Sequence, residues 1–161
     1  AEYIKADGGV KSFNFEFTEW EHRVITANLP AKTLANWLLC NSSHVIDLAF
    51  HLGGRPETWQ AFAARDCRWC PGYSNYVGAG ISESGAGFSY QANWMAPGRW
   101  GVEWLTDHRR LILRPLEQLH IQKKFPWRWR KWSWTMTTIS DLSRVCISRR
   151  KLFSMGKRLS V

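Results

Sequence analysis

The chain has 161 residues and a formal net charge of +9, but nine of its 22 basic and one of its 13 acidic residues lie within 125–161. That leaves 13 basic and 12 acidic side chains, a net of +1, over residues 1–124. Those 124 residues suit one soluble domain with a core of its own. Their short, interrupted apolar runs exclude a signal peptide and a membrane-spanning helix, and four cysteines (Cys40, Cys67, Cys70, Cys146) do not form a secreted disulfide framework, so a reducing cytoplasm is expected.

In chain order, Gly8-Gly9 opens a strand in which Phe13, Phe15 and Phe17 share one face and Asn14, Glu16 and Thr18 the other, the period of a half-buried sheet strand. Pro30 suits a first helical turn ahead of AKTLANWLL, and SSHVIDLAFHL is a second helical run stopped by Gly53-Gly54 and Pro56. TWQAFAAR is expected to be a strand. Residues 71–85, rich in glycine and serine and carrying Tyr73 and Tyr76, are expected to be a loop. GFSYQANWM alternates Phe88, Tyr90, Ala92 and Trp94 against Ser89, Gln91 and Asn93. After the Pro97-Gly98 turn, WGVEWLT and RRLILRP form a hairpin around Asp107-His108. One strand, two helices and several antiparallel strands predict an α+β domain, an open and mostly antiparallel sheet with helices packed on one face. No internal repeat and no linker precedes residue 125.

Residues 125–161 read as a coding sequence in the wrong frame. Trp and Met have single codons and constrain the neighbouring frame: read one base earlier, Trp134-Thr135 and Met136-Thr137 each give Asp, and Met155-Gly156 gives Gly. Trp127-Arg128 and Trp129-Arg130 each give only Glu or Ala. One permitted choice of codons yields an acidic strand, a turn and a KPG-led amphipathic helix, an order that the written tail lacks. Loss of one base at the A-rich Lys123-Lys124 pair produces the switch. The alternative is a genuine basic arm in which PWRWRKWSW engages nucleic acid or an anionic membrane. Either way the tail is expected to be poorly ordered, since ordering it costs about 1–2 kcal/mol per residue and its four tryptophans return too little. Sequencing the coding DNA from Gln122 to Val161 checks the origin: an open preceding frame encoding acidic residues then KPG is expected, and stop codons in that frame would establish the arm as a real product.

The segments GGVKSFNFEFTEW, NSSHVIDLAFHLGGRPE and FSYQANWMAPGRWGVEWLTDHRRLILRPLE, in this order and spacing, resemble the C-terminal domain of the Gfo/Idh/MocA oxidoreductases, the glucose-fructose oxidoreductase and inositol dehydrogenase family. The resemblance covers residues 8–120. It implies a substrate-binding and oligomerisation sheet domain (residues 1–124) that works beside a Rossmann domain holding NAD or NADP. No G-x-G-x-x-G follows a strand here, so that cofactor domain is expected to be missing and the isolated chain inactive. GAGISESGAG follows an expected loop, with no helix to place under a pyrophosphate, and is not expected to cradle phosphate.

The resemblance also assigns roles. His44 in NSSHVID matches the family histidine that exchanges a proton with the substrate hydroxyl, a task suited to imidazole near neutral pH. Its alternative is a hydrogen-bonded core histidine. Many relatives carry Asp four residues earlier; here that position is Cys40, and Asn41 can hold the imidazole or a sugar hydroxyl instead. Asp47 either orders the helix start or binds substrate. Tyr90, Asn93 and Arg99 fall on or after a strand that relatives use to wall the pocket, Arg99 gripping a carboxylate or phosphate or lying on the surface beside Trp100. His44, Asp47 and His51 share one helical face, but the implied chemistry needs no metal and none is expected. Cys67 and Cys70, a single C-x-x-C, are expected to be free thiols at a strand end. The implied partners are a sugar or polyol substrate and a second copy of the chain through the open sheet, without nucleic acid or membrane.

Overall fold

A computed structural model describes residues 1–124 and 137–138. Strand β1 (Ser12–Glu16) buries Phe13 and Phe15 and leaves Ser12, Asn14 and Glu16 half-covered, as its alternation dictates. Phe17 prolongs the line by donating its N–H to the Gln91 carbonyl at 3.2 Å. The other strands are β2 (Pro56–Asp66), β3 (Tyr73–Ser82), β4 (Gly87–Asn93), β5 (Gly101–Leu105), β6 (Arg109–Leu113), β7 (Gln118–Lys123) and the two-residue β8 (Thr137–Thr138). They form one sheet in the order β2-β3-β4-β1-β5-β6-β7-β8. β1 is parallel to β4; every other neighbouring pair is antiparallel. The α+β class and the open, mostly antiparallel sheet are as expected.

Among the described residues four helices accompany the sheet: α1 (Glu2–Ala6), α2 (Glu21–Thr26), α3 (Ala31–Ala35) and α4 (Ser43–Gly53). A single π turn, Leu38–Ser42, leads into α4. Among the described residues no helix is long and apolar enough to cross a membrane. α4 packs on β1 and β5 with Val45 and Ala49 fully buried. Its Phe50 ring meets Phe13, Phe15 and Phe88 edge-on at 5.5, 5.4 and 4.9 Å, and each such pair adds about 0.5–1.5 kcal/mol beyond the area it buries. Trp104 of β5 donates its indole N–H to the Ala49 carbonyl at 3.1 Å. The helix closes onto the sheet at Gly53, where any Cβ would run into the Phe13 ring, and Ser82 Oγ holds the Gly53 carbonyl at 3.0 Å. With Gly53 over Phe13, α4 runs antiparallel to β1. Its N-terminal turn therefore sits where β1 and β4 end and β5 begins.

Three expectations about the chain path are corrected. The segment expected as a loop over 71–85 is largely β3, paired with β2 from Tyr73 to Ser82 and with β4 from Asn75 to Ile81. Its glycines serve close packing: a Cβ on Gly78 would collide with the Tyr90 ring, and one on Gly80 with the Thr58 carbonyl oxygen and the Phe88 ring. GAGISESGAG is accordingly a β-hairpin, turned at Gly85 (φ +77°) and closed by Ser82 N–H to the Ala86 carbonyl at 2.9 Å. Secondly, more than two helices flank β1. The five-residue α1 and six-residue α2 are too short to show a 3.6-residue period. Thirdly, β7 lies beyond the last strand expected from sequence. The frame reading and the expected disorder fall on residues 125–161, which lie outside the described residues except for Thr137 and Thr138.

The sheet face away from α4 is polar at its centre and apolar at one side. Arg114 Nη1 donates to Glu16 Oε2 at 2.9 Å, and Arg110 Nε to Glu103 Oε2 at 2.8 Å. Towards the β2–β3 edge, Phe62 stands opposite Val77, and these two and Ile81 are 66%, 51% and 45% exposed.

Candidate functional site

The site lies where β1 gives out. Glu19 N–H bonds the Asn93 carbonyl at 3.3 Å, and Thr18 Oγ1 accepts from the Asn93 N–H at 3.2 Å, so the segment after β1 is still held by β4. This places the Glu19 carboxylate beside the N-terminal turn of α4. There the π turn carries Asn41, whose Nδ2 donates to Glu19 Oε1 at 2.6 Å. Single π turns recur at functional sites because the extra residue re-aims side chains. The start of this one is anchored by Trp37, buried and edge-on to Trp69 at 5.4 Å; Trp69 in turn donates its N–H to the Trp94 carbonyl at 3.0 Å. From the other side Trp100, just before β5, donates its indole N–H to the same Glu19 Oε1 at 2.8 Å.

These groups border a pocket of about 300 Å³, lined by Glu19, Trp20, Arg23, Asn41, Arg99 and Trp100 with neighbouring main chain and residues of the β6–β7 turn. His44, exposed on the first turn of α4, has its ring 6.5 Å from that of Trp100. Burial pushes the Glu19 carboxyl above its ordinary value; the hydrogen bonds from Trp100, Trp37 and Asn41 and the nearby Arg99 charge pull it back only in part. A half-buried carboxylate, an amide, two guanidiniums and two indoles around a small cavity can bind a polar, hydroxyl-bearing molecule, with an imidazole at its edge to move a proton.

Of the sequence-predicted residues, Asn41 and Arg99 line this pocket, whereas His44 is not among its lining residues, its ring lying 6.5 Å from that of Trp100. Asp47 is half-buried on α4, one turn beyond His44. Tyr90 and Asn93 sit elsewhere on β4. The Tyr90 ring stacks on Phe15 at 5.3 Å, its hydroxyl lies over Gly78, and burial raises its pKa. Asn93 uses its side-chain carbonyl to accept the Met95 N–H at 3.0 Å, fixing the turn after β4. Glu19 was missed by sequence reasoning; its only local signal is that the alternation of FNFEF breaks at Thr18-Glu19. Cys67 and Cys70 are free thiols just past the end of β2. Burial first, and the neighbouring Cys67 thiol second, push Cys70 up to about 12, so it is no nucleophile at neutral pH. Among the described residues no group of three or more His, Cys, Asp or Glu side chains is placed to hold a metal ion.

The glycine-rich segment is a hairpin with Gly78 and Gly80 covered by aromatic rings, so it leaves no bare backbone to approach a pyrophosphate.

No family model and no curated protein matches the sequence. Solved structures do match the fold. A levoglucosan dehydrogenase in complex with NADH and levoglucosan superposes with a TM-score of 0.66 at 17% identity, over 86% of this chain and 42% of that one. The dehydrogenase MviM from Clostridium difficile gives 0.58 at 13% identity, over 87% and 43%. The WlbA dehydrogenase from Bordetella pertussis, in complex with NADH and UDP-GlcNAcA, gives 0.59 at 16% identity, over 78% and 40%. The chain thus spans about two fifths of the length of these dehydrogenases and shares the fold of that part.

Proposed function

We propose that the chain is the substrate-binding domain of a Gfo/Idh/MocA-type, NAD(P)-dependent oxidoreductase acting on a sugar, polyol or related hydroxy compound. What supports this is Asn41 and Arg99 on one pocket, with the His44 ring 6.5 Å from that of Trp100 in its wall, in a sheet domain whose fold is shared with a levoglucosan dehydrogenase. The fold alone would not justify a reaction; the site supplies the chemistry. His44 is the acid/base, taking the proton from the substrate hydroxyl. Asn41 and Arg99 bind the remaining hydroxyls or an acidic group, Asp47 helps to place the substrate along α4, and Tyr90 and Asn93 stiffen the wall behind. NAD or NADP would be held by a separate nicotinamide-binding domain and, when bound, would supply the hydride acceptor. The described residues are therefore expected to be inactive alone. Fusing the chain behind the cofactor domain of a structural neighbour tests this: NAD⁺ reduction by a sugar is expected from the fusion and not from the chain alone, and a fusion inert toward sugars and polyols would overturn the assignment.

The face opposite α4 is proposed as the surface on which two copies associate in the full enzyme. The exposed Phe62, Val77 and Ile81 row is the apolar part of it. Sedimentation of the fusion is expected to give a dimer or larger assembly that Phe62→Glu dissociates. A monomer with Phe62 intact would refute the surface.

A further inference from the structure

Glu19 holds a position in the pocket that its neighbours prepare. A carboxylate oxygen has two lone pairs, and those of Oε1 are taken by the Asn41 amide and the Trp100 indole. The buried indole of Trp37, which meets no other acceptor, is a third donor beside the carboxylate, and Glu19 also lines the cavity. A carboxylate has about four acceptor sites, and one held by three donors at the wall of a cavity keeps capacity for a ligand hydroxyl. Trp100 beside it lines the cavity with an indole of the kind on which the C–H side of a sugar ring rests.

We propose that Glu19 is the specificity-determining residue of this pocket, its remaining acceptor capacity at Oε2 taking a hydroxyl of a neutral sugar or polyol. The proposal rests on the pocket being the sugar or polyol site. Neutrality of the ligand follows from the charges that face the cavity. Arg23 from α2 and Arg99 from the turn before β5 are balanced by Glu19 itself and by Glu117 from the β6–β7 turn, and an anionic ligand at Oε2 would meet a like charge. His44 of α4, beside Trp100, is the remaining titratable group at the edge.

The bound form requires ionised Glu19, because protonation turns Oε2 or its partner oxygen into a donor. Burial raises the carboxyl above its ordinary value, so affinity is present at neutral pH and falls as pH drops through that raised value.

The test uses the full chain and three neutral probes, levoglucosan, L-sorbose and myo-inositol, with gluconate as an anionic counterpart. Binding is followed by NMR through the Trp100 indole N–H from roughly pH 5 to pH 8. At least one neutral probe is expected to bind at the upper end and to weaken toward the lower. Glu19→Gln, which keeps an acceptor for Trp100 and Asn41, is expected to bind about 10- to 100-fold more weakly and to lose that pH dependence. His44→Asn, which removes the other titration, is expected to retain it. Binding that Glu19→Gln leaves unchanged, or gluconate binding more tightly than every neutral probe, overturns the role of Glu19 while the pocket assignment stands. Should Glu19→Gln not fold, wild-type affinity that is constant with pH overturns it equally. Failure of every probe to move the Trp100 signal overturns the pocket assignment and the inference with it.

Discussion

Replacing His44 with alanine in a fusion that supplies the nicotinamide-binding domain is expected to lower kcat by roughly 100- to 10,000-fold, the range over which a positioned acid/base acts. Oxidising an alcohol removes a proton from oxygen as well as a hydride from carbon. The His44 ring lies 6.5 Å from that of Trp100, which lines the pocket. KM is expected to change little, because substrate hydroxyls are held by other side chains. The imidazole is exposed, so its removal leaves the core intact, and an unchanged melting temperature separates lost chemistry from lost structure. A variant that retains full kcat would remove His44 from the reaction.

The largest expected effect on stability is at Trp104. Its side chain is 2% exposed, lies opposite Phe13 and Leu111 in the register of β5 with β1 and β6, and bonds the Ala49 carbonyl in the middle of α4. Trp104→Ala is expected to cost about 3–5 kcal/mol through lost contact and the cavity left behind, out of the roughly 5–15 kcal/mol that holds a domain together. At the low end of that range much of the chain would then be unfolded at 37 °C. Trp104→Phe refills most of the volume and leaves chiefly the carbonyl unmet, for about 1–3 kcal/mol. Urea unfolding followed by circular dichroism measures both. Equal, small losses from the two variants would show that α4 is not held to the sheet as the structure indicates.

The parts of this fold legible in the sequence are those whose side chains keep a period. Phe13, Phe15 and Phe17 alternate and form β1, SSHVIDLAFHL stops at Gly53 where α4 stops, and the hairpin around Asp107-His108 joins β5 to β6. β3 was hidden because its glycines, which resemble those of a loop, leave room for Tyr90 and Phe88. That requirement comes from a neighbouring strand and is invisible in the segment itself. Glu19 was hidden for the same reason. Its partners Asn41 and Trp100 lie 22 and 81 residues away, and no local pattern encodes a meeting at that separation. Conversely, Tyr90 drew attention as a polar aromatic on a strand, yet the alternation that made β4 recognisable also puts it on the face of Phe88, which is core.

Deuterium transfer measures the central claim most directly. In the fusion, a sugar carrying deuterium at the carbon to be oxidised is expected to pass its label to NAD⁺, giving NADD whose formation is lost on His44→Ala. Reduced cofactor without deuterium, or none formed with any sugar or polyol although the fusion binds NAD⁺, would contradict the assignment of this domain to hydride-transfer chemistry.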